Sequence, residues 1–260
     1  MSTGAEQSIS LLPRSCRIVV VNWNSGNRLR QCLLSIPQGF EVIVVDNASQ
    51  DLDQSGITLD GVSQRVDTPG IPAREAAPKH LQGFECSPLL VGNTRNEGFA
   101  AAANLGAANC NRDFLLFLNP DVVFASQASA DPMLRLLRER QDAAAATGRL
   151  VAPPGNIFSQ PTMELIRPFP TLASALADIL FFDELGTKTR HDQPGIQQID
   201  QAPGACLLIR RKVFEELGGF DASFYPAWFE DVDLCRRLRD RRIKIFYHPE
   251  AVFYHEGGYS

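Results

Sequence analysis

Apolar and polar positions along the chain fall into two alternating patterns. The runs Arg17-Ile18-Val19-Val20-Val21-Asn22 and Glu41-Val42-Ile43-Val44-Val45-Asp46 are almost unbroken in β-branched residues, the mark of strands buried on both faces. Between them Leu29, Cys32 and Leu33 recur at helical spacing, behind the turn and cap residues Asn24-Ser25-Gly26-Asn27. Strand, helix and strand within about 30 residues make a βαβ unit, which predicts a parallel sheet with a right-handed crossover. The rhythm breaks over residues 52–88, where Gly and Pro are frequent and no period persists, so this stretch reads as a long surface insertion. Order resumes with Leu89-Leu90-Val91, an alanine-rich helix opened by Asn96-Glu97-Gly98, and a strand over 113–118. The pattern then predicts a helix over 131–142, a strand over 143–150 and an apolar helix over 172–185. Beyond Gly204 it predicts a strand to Arg210, a short helix over 212–217, a helix over 230–241 with Leu234 and Leu238 on one face, and strands over 243–247 and 251–254.

Composition narrows this picture modestly. At 260 residues and 44% hydrophobic, the chain suits one globular core or two lobes sharing a sheet. A net charge of -5 excludes a general nucleic-acid binder, which needs a basic stripe to neutralise phosphates. Six cysteines are scattered without a CxxC pair, so they read as small buried hydrophobes in a reducing cytoplasm. No run reaches the roughly 18 apolar residues that span a bilayer. Residues 1–15 lack a basic segment followed by a long apolar one, and are expected to be a disordered lead-in rather than a secretion signal.

Candidate chemistry gathers at the strand ends. In an open α/β sheet, ligands bind beyond the carboxyl ends of the strands. Four polar clusters fall there: Asn22-Trp23-Asn24, Asp46-Asn47-Ala48-Ser49, Asn96 to Ala100, and Asn119-Pro120-Asp121. Each singly is an ordinary turn, but a chain with only a core to build has no need of four. No Gly-rich fingerprint follows the first strand and no Walker-type loop occurs, which removes the support for a dinucleotide oxidoreductase or a P-loop NTPase. Asn96-Glu97-Gly98 opens a helix whose backbone N–H groups are expected to face a nucleotide or phosphate. Asp121 should emerge at the sheet edge, where one carboxylate plus substrate phosphates suffices for Mg2+ or Mn2+. Glu230, Asp231 and Asp233 crowd the first turn of a helix, which the macrodipole favours. Tyr225, Trp228 and Phe229 before them add aromatic walls beside a carboxylate able to act as a base. His255 ends the last apolar strand and is a candidate metal ligand.

Six segments in order resemble glycosyltransferase family 2, the inverting GT-A enzymes, and in particular its rhamnosyltransferase-like branch. They are Val20 to Asn24, Val44 to Ser49, Asn96 to Ala100, Phe117 to Asp121, Gly218 to Asp221 and Phe229 to Leu234. The resemblance runs from about Arg17 to the C-terminus. It implies an α/β fold with a mostly parallel, Rossmann-like sheet flanked by helices, in a single GT-A domain over 16–260. Residues 16–125 would be the nucleotide-sugar half, carrying the insertion, and 126–260 the acceptor-binding and catalytic half. It also implies residue roles. Asn22, Asp46 and Asn47 would line the nucleobase and ribose pocket, and Asn96 would contact the nucleotide. Asn119 and Asp121 would occupy the Asp-x-Asp position against the donor, with Asp121 and His255 holding a divalent cation. Asp231 would be the base, Glu230 its catalytic neighbour toward the acceptor, and Trp228 and Phe229 would help bind that acceptor.

The implied reaction moves a sugar from a nucleotide-diphosphate donor to a hydroxyl of a glycan or lipid-linked glycan, with inversion, in cell-surface polysaccharide synthesis. Deoxythymidine-diphosphate-rhamnose is the preferred donor and uridine-diphosphate sugars the alternative. Three departures stand out: Asn119 replaces the first acid of its motif, 52–88 exceeds the usual connection, and the chain stops soon after His255, where many relatives continue. A nucleotidyltransferase would need a Gly-rich basic loop where Asn22-Trp23-Asn24 stands. A non-catalytic sugar-nucleotide binder would suit Asn119 but leaves Asp121, Asp231 and His255 unexplained. The apolar stretch Leu172 to Phe182 reads as a lobe-packing helix, or as a surface resting on the inner face of the cytoplasmic membrane.

Overall fold

A computed structural model describes residues 12–51, 79–81, 83–86, 88–108, 110–154, 169 and 195–256. Most of the lead-in, residues 52–78 of the insertion and the apolar stretch 172–185 lie outside the described residues. The strands are β1 (Cys16–Asn22), β2 (Glu41–Asp46), β3 (Lys79–His80), β4 (Leu89–Gly92) and β5 (Phe114–Leu118). They continue with β6 (Val122–Phe124), β7 (Ala143–Val151), β8 (Gln197–Ile199), β9 (Cys206–Arg210) and β10 (Lys244–His255). The helices are α1 (Asn27–Ser35), α2 (Phe99–Ala108), α3 (Asp131–Glu139), α4 (Arg211–Glu216) and α5 (Glu230–Asp240).

All these strands join one sheet in the order β3-β4-β2-β1-β5-β9-β7-β10-β6, with β8 on β10. Every residue of β1 is buried, and successive side chains serve opposite faces, as the pleat requires. Ile18 and Val20 join the core of Leu29, Leu33, Met133 and Leu134 beneath α1 and α3. Val19 and Val21 join that of Ala102, Ala103, Leu234 and Leu238 beneath α2 and α5. The expected α/β architecture is therefore present, and Leu234 and Leu238 do share one buried face of α5.

The expectation of a mostly parallel sheet holds for β4-β2-β1-β5 and is corrected beyond it. Strand β9 runs antiparallel to both β5 and β7, while β10 is parallel to β7 and antiparallel to β6 and β8. The cause is where β9 starts: Cys206 stands opposite Leu118, so β9 enters the sheet at the carboxyl edge of β5 and runs back along it. The two short strands expected over 243–254 are one long strand, β10, whose register shifts between His248 and Val252 around Pro249 and Glu250. Such a bulge keeps the strand in the sheet while re-aiming its end.

The insertion is not wholly peripheral. Lys79–His80 forms an edge strand on β4, Leu81 and Cys86 are buried in the core, and the N–H of Leu81 donates to the Pro88 carbonyl at 2.8 Å. On the opposite face, Gly106 lets α2 lie directly on β1 and β2, since a Cβ there would run into Val19 and approach Val45. Both valines are buried and belong to strands that cannot retreat. Gly106→Ala is expected to lower stability by about 1–3 kcal/mol through overpacking, read as a shift of the urea midpoint at unchanged slope.

Candidate active site

The carboxyl ends of β1 and β2 meet in register, with Asn22 opposite Asp46. Asn22 Nδ2 donates to Asp46 Oδ1 at 2.8 Å and to Ser49 Oγ at 3.0 Å. The Ser49 N–H donates to Asp46 Oδ2 at 3.2 Å, closing a short polar ring. Asn22 Oδ1 is buried and has no partner. An unpaired buried acceptor costs about 1–3 kcal/mol, so this atom is available to an N–H or O–H of a bound molecule. Sequence reasoning gave Asn22 and Asp46 roles and Ser49 only a place in the polar cluster, although a serine three residues after Asp46 is the ordinary signature of an Asx turn. Asn24, expected to help cap α1, instead accepts the Gln50 N–H at 2.8 Å, and α1 starts at Gly26 without a side-chain cap.

Asn47 is 2% exposed and spends its amide inside the protein. Its Nδ2 donates to Asn96 Oδ1 at 2.7 Å, and its Oδ1 accepts from Asn93 Nδ2 and the Glu97 N–H, both at 3.0 Å. Asn96 Oδ1 also accepts the Gly98 N–H at 2.9 Å, and the Phe99 N–H donates to the Pro226 carbonyl at 2.8 Å. The N–H groups of Glu97, Gly98 and Phe99, expected to face a phosphate, therefore bond within the protein. Asn47 and Asn96 stitch the end of β2 to the loop before α2.

Asn119-Pro120-Asp121 forms the tight turn between β5 and β6, with the Val122 N–H donating to the Asn119 carbonyl at 3.1 Å. Strand β10 pairs antiparallel with β6, setting His255 opposite Val122. His255 Nε2 consequently lies 3.4 Å from Asp121 Oδ2, both side chains largely buried. His255 Nδ1 is buried without a partner. Among the described residues no group of three or more His, Cys, Asp or Glu side chains comes together to hold a metal. The Asp121–His255 pair thus fits a divalent cation only as a half-site, completed by diphosphate oxygens or water.

The third group opens α5, which begins at Phe229 in the left-handed region (φ 72°), just after Trp228 at φ 89°. Both rings and that of Tyr225 are more than half exposed. Asp231 is fixed by the main chain: Oδ2 accepts the Gly204 N–H and Oδ1 the Val232 N–H, each at 2.8 Å. Gly204 was not singled out in the sequence, yet a Cβ there would lie 3.4 Å from the Asp231 carboxylate. The next residue, Ala205, accepts the Asn119 N–H at 3.0 Å. The two acidic motifs are therefore joined through neighbouring residues of a single segment. Asp233 is set apart, paired with Arg237 at 2.6 Å one helical turn on.

Glu230 departs from expectation. It was placed toward the acceptor, but it is 6% exposed and its Oε2 is buried without a partner. Burial raises its pKa above the usual carboxylate value, and the neighbouring Asp231 charge adds to this, while the N–H groups of Glu230 and Trp228 pull the other way.

Comparison with known proteins gives the family and the fold. Residues 91–258 match the family described as glycosyltransferase like family 2. The chain belongs to that family. A pre-mycofactocin glycosyltransferase of Mycobacterium tuberculosis is 24% identical over 249 residues, covering 94% of this chain and 43% of that protein. The N-acetylglucosaminyl-diphospho-decaprenol L-rhamnosyltransferase of the same species is 25% identical over 266 residues, covering 94% and 76%. The chain thus spans less than half of the first relative and about three quarters of the second. In structure it is similar to the mannosyltransferase PcManGT of Pyrobaculum calidifontis, solved with GDP-Man and Mn2+. The TM-score is 0.58 at 14% identity, covering 93% of this chain and 56% of that one. The fold is that of the GT-A glycosyltransferases.

The raised pKa of Glu230 has a definite consequence. The folded state keeps this proton above the pH at which the unfolded chain releases it, so stability falls as pH rises through that window. Glu230→Gln, which cannot ionise, should match the parent near pH ~4 and exceed it at pH ~7. Thermal unfolding across that range measures the difference.

Proposed function

We propose that the chain is the catalytic domain of an inverting glycosyltransferase that moves a sugar from a nucleotide-diphosphate donor to an acceptor hydroxyl. The observation that carries this reading is the pair of contacts at Gly204 and Ala205, which ties Asp231 and the Asn119 to Asp121 turn to one short segment. A group that accepts a proton and a group that meets the leaving phosphate must both stand near one anomeric carbon, on opposite sides of it.

In this reading Asn22, Asp46 and Ser49 receive the nucleoside, with the unpaired Asn22 Oδ1 accepting from it. Asn47 and Asn96 hold the pocket floor in shape. Asn119 presents the turn, and Asp121 and His255 would hold a divalent cation, Mg2+ or Mn2+. That ion supplies charge neutralisation for the departing nucleoside diphosphate when bound. Asp231 takes the acceptor proton as the hydroxyl attacks. Its two main-chain hydrogen bonds fix the carboxylate's orientation and leave each oxygen a further lone pair. Attack opposite the leaving group inverts the anomeric centre without a covalent intermediate. The exposed rings of Trp228 and Phe229 offer the acceptor sugar apolar faces, and Glu230 supports their loop from beneath.

Deoxythymidine-diphosphate-rhamnose is the preferred donor, on the strength of relatives named as rhamnosyltransferases; a uridine-diphosphate sugar is the alternative. The decaprenol-linked substrate in one relative's name supports a lipid-linked glycan acceptor, met at the membrane surface during cell-surface polysaccharide synthesis. No described helix is long and apolar enough to cross a membrane.

Asp231→Asn should preserve donor binding and lower transfer by about 10²–10⁴-fold, read as nucleoside diphosphate release with acceptor present; an unchanged rate would remove Asp231 from the mechanism. Asp121→Ala should weaken binding of dTDP or UDP in the presence of Mn2+ and have little effect when a chelator replaces the metal. Equal losses under both conditions would speak against a cation at Asp121.

A further inference from the structure

Beside Asp121 opens a cleft of about 560 Å³, within the usual range of small-molecule sites. One wall is the loop after β1 and the first turn of α1, Asn24 to Arg28; the other is Asp121 with Tyr254 and Glu256. Among the described residues lining it, Asp51, Asp121 and Glu256 are acidic and Arg28 is the one cation. Arg28 Nε donates to Glu256 Oε2 at 2.8 Å across the cleft, linking the first helix to the end of the last strand. Glu256 is itself held beside Asp121, since its N–H donates to the Asp121 carbonyl at 3.4 Å.

We infer that Arg28 binds the phosphates of the nucleoside diphosphate and that Glu256 is a stand-in anion which holds Arg28 ready and yields it when the diphosphate enters. This rests on the transferase reading above. Three features support the exchange. The Arg28 and Glu256 side chains are 33% and 43% exposed, and ion pairs so open to water are weak and readily traded. A diphosphate offers the guanidinium fork paired oxygens of higher charge, which bind it more strongly than one carboxylate does. The acidic surroundings make the step selective: a diphosphate held beside Asp121 adds negative charge to a cleft already rich in it, and Arg28 is the cation on hand to offset it. Asp51 Oδ1, buried without a partner, adds an acceptor for a hydroxyl of the same ligand.

Calorimetric titration with dTDP and UDP in the presence of Mn2+ tests the exchange through binding alone. Arg28→Ala should weaken affinity roughly ten- to hundredfold, the range for a hydrogen bond to a charged group. Arg28→Lys, which keeps the charge and loses the fork, should fall between. Glu256→Gln should bind several-fold tighter than the parent, because the competing carboxylate is gone, and the double variant should match Arg28→Ala. A purely structural ion pair would weaken binding from either side, so a loss of affinity in Glu256→Gln overturns the inference, as does parent-like binding by Arg28→Ala. If the parent itself bound neither nucleotide, the transferase reading would fall and this inference with it. That result is distinct from parity between parent and variant.

Discussion

The hydrogen bonds at the start of β9 are the constraint on which the rest of the site depends. Because β9 begins opposite the last residue of β5 and runs back along it, its leading residues lie across the carboxyl edge of the sheet. There Gly204 holds the Asp231 carboxylate and Ala205 holds the Asn119 peptide. Both contacts are made by main-chain groups, so neither needs a particular side chain on the segment before β9. The antiparallel strand thereby joins the turn after β5 to the first turn of α5.

The two edges of the sheet are treated differently. At the amino edge Arg17 and Arg112 both pair with Glu41, and the hydrogen bond from Arg112 lowers the Glu41 pKa further than burial raises it. That cluster is paired within itself, apart from Arg112 Nε, which is buried without a partner. At the carboxyl edge, buried polar atoms of Asn22, Asp51 and His255 lack partners. Folded proteins leave few such atoms, and these three lie at or just beyond the carboxyl ends of β1, β2 and β10.

How much of this was legible in the sequence follows from which interactions are local. Strands β1, β2 and β5 were readable because burial on both faces demands unbroken apolar runs, and α5 because Leu234 and Leu238 recur at helical spacing. The strand-end residues Asn22, Asp46 and Asp121 were readable from their position alone. What escaped depends on pairing partners distant in the chain. The direction of β9 is set by its neighbours and not by its own composition, and Gly204 matters only because Asp231 is packed against it. Asn47 and Asn96 were recognised as special residues, but the bonds of the Asn47 amide to Asn93, Asn96, Glu97 and Gly98 appear only once the distant loop is folded against β2. Glu230 looked like its neighbour Asp231 in sequence; the helix turns one carboxylate into the core and leaves the other at the edge.

The six cysteines are all free and buried. Burial pushes the thiols of Cys206 and Cys235 up to about 12 and those of Cys16, Cys32, Cys86 and Cys110 upward as well. The thiolate is the reactive form, so the native fold withholds from alkylating reagents both access and the nucleophile. The cysteines lie in both apolar layers, on either side of the sheet. Their rates of modification would therefore act as built-in clocks for opening events, timing separately how often each layer parts from the sheet it covers.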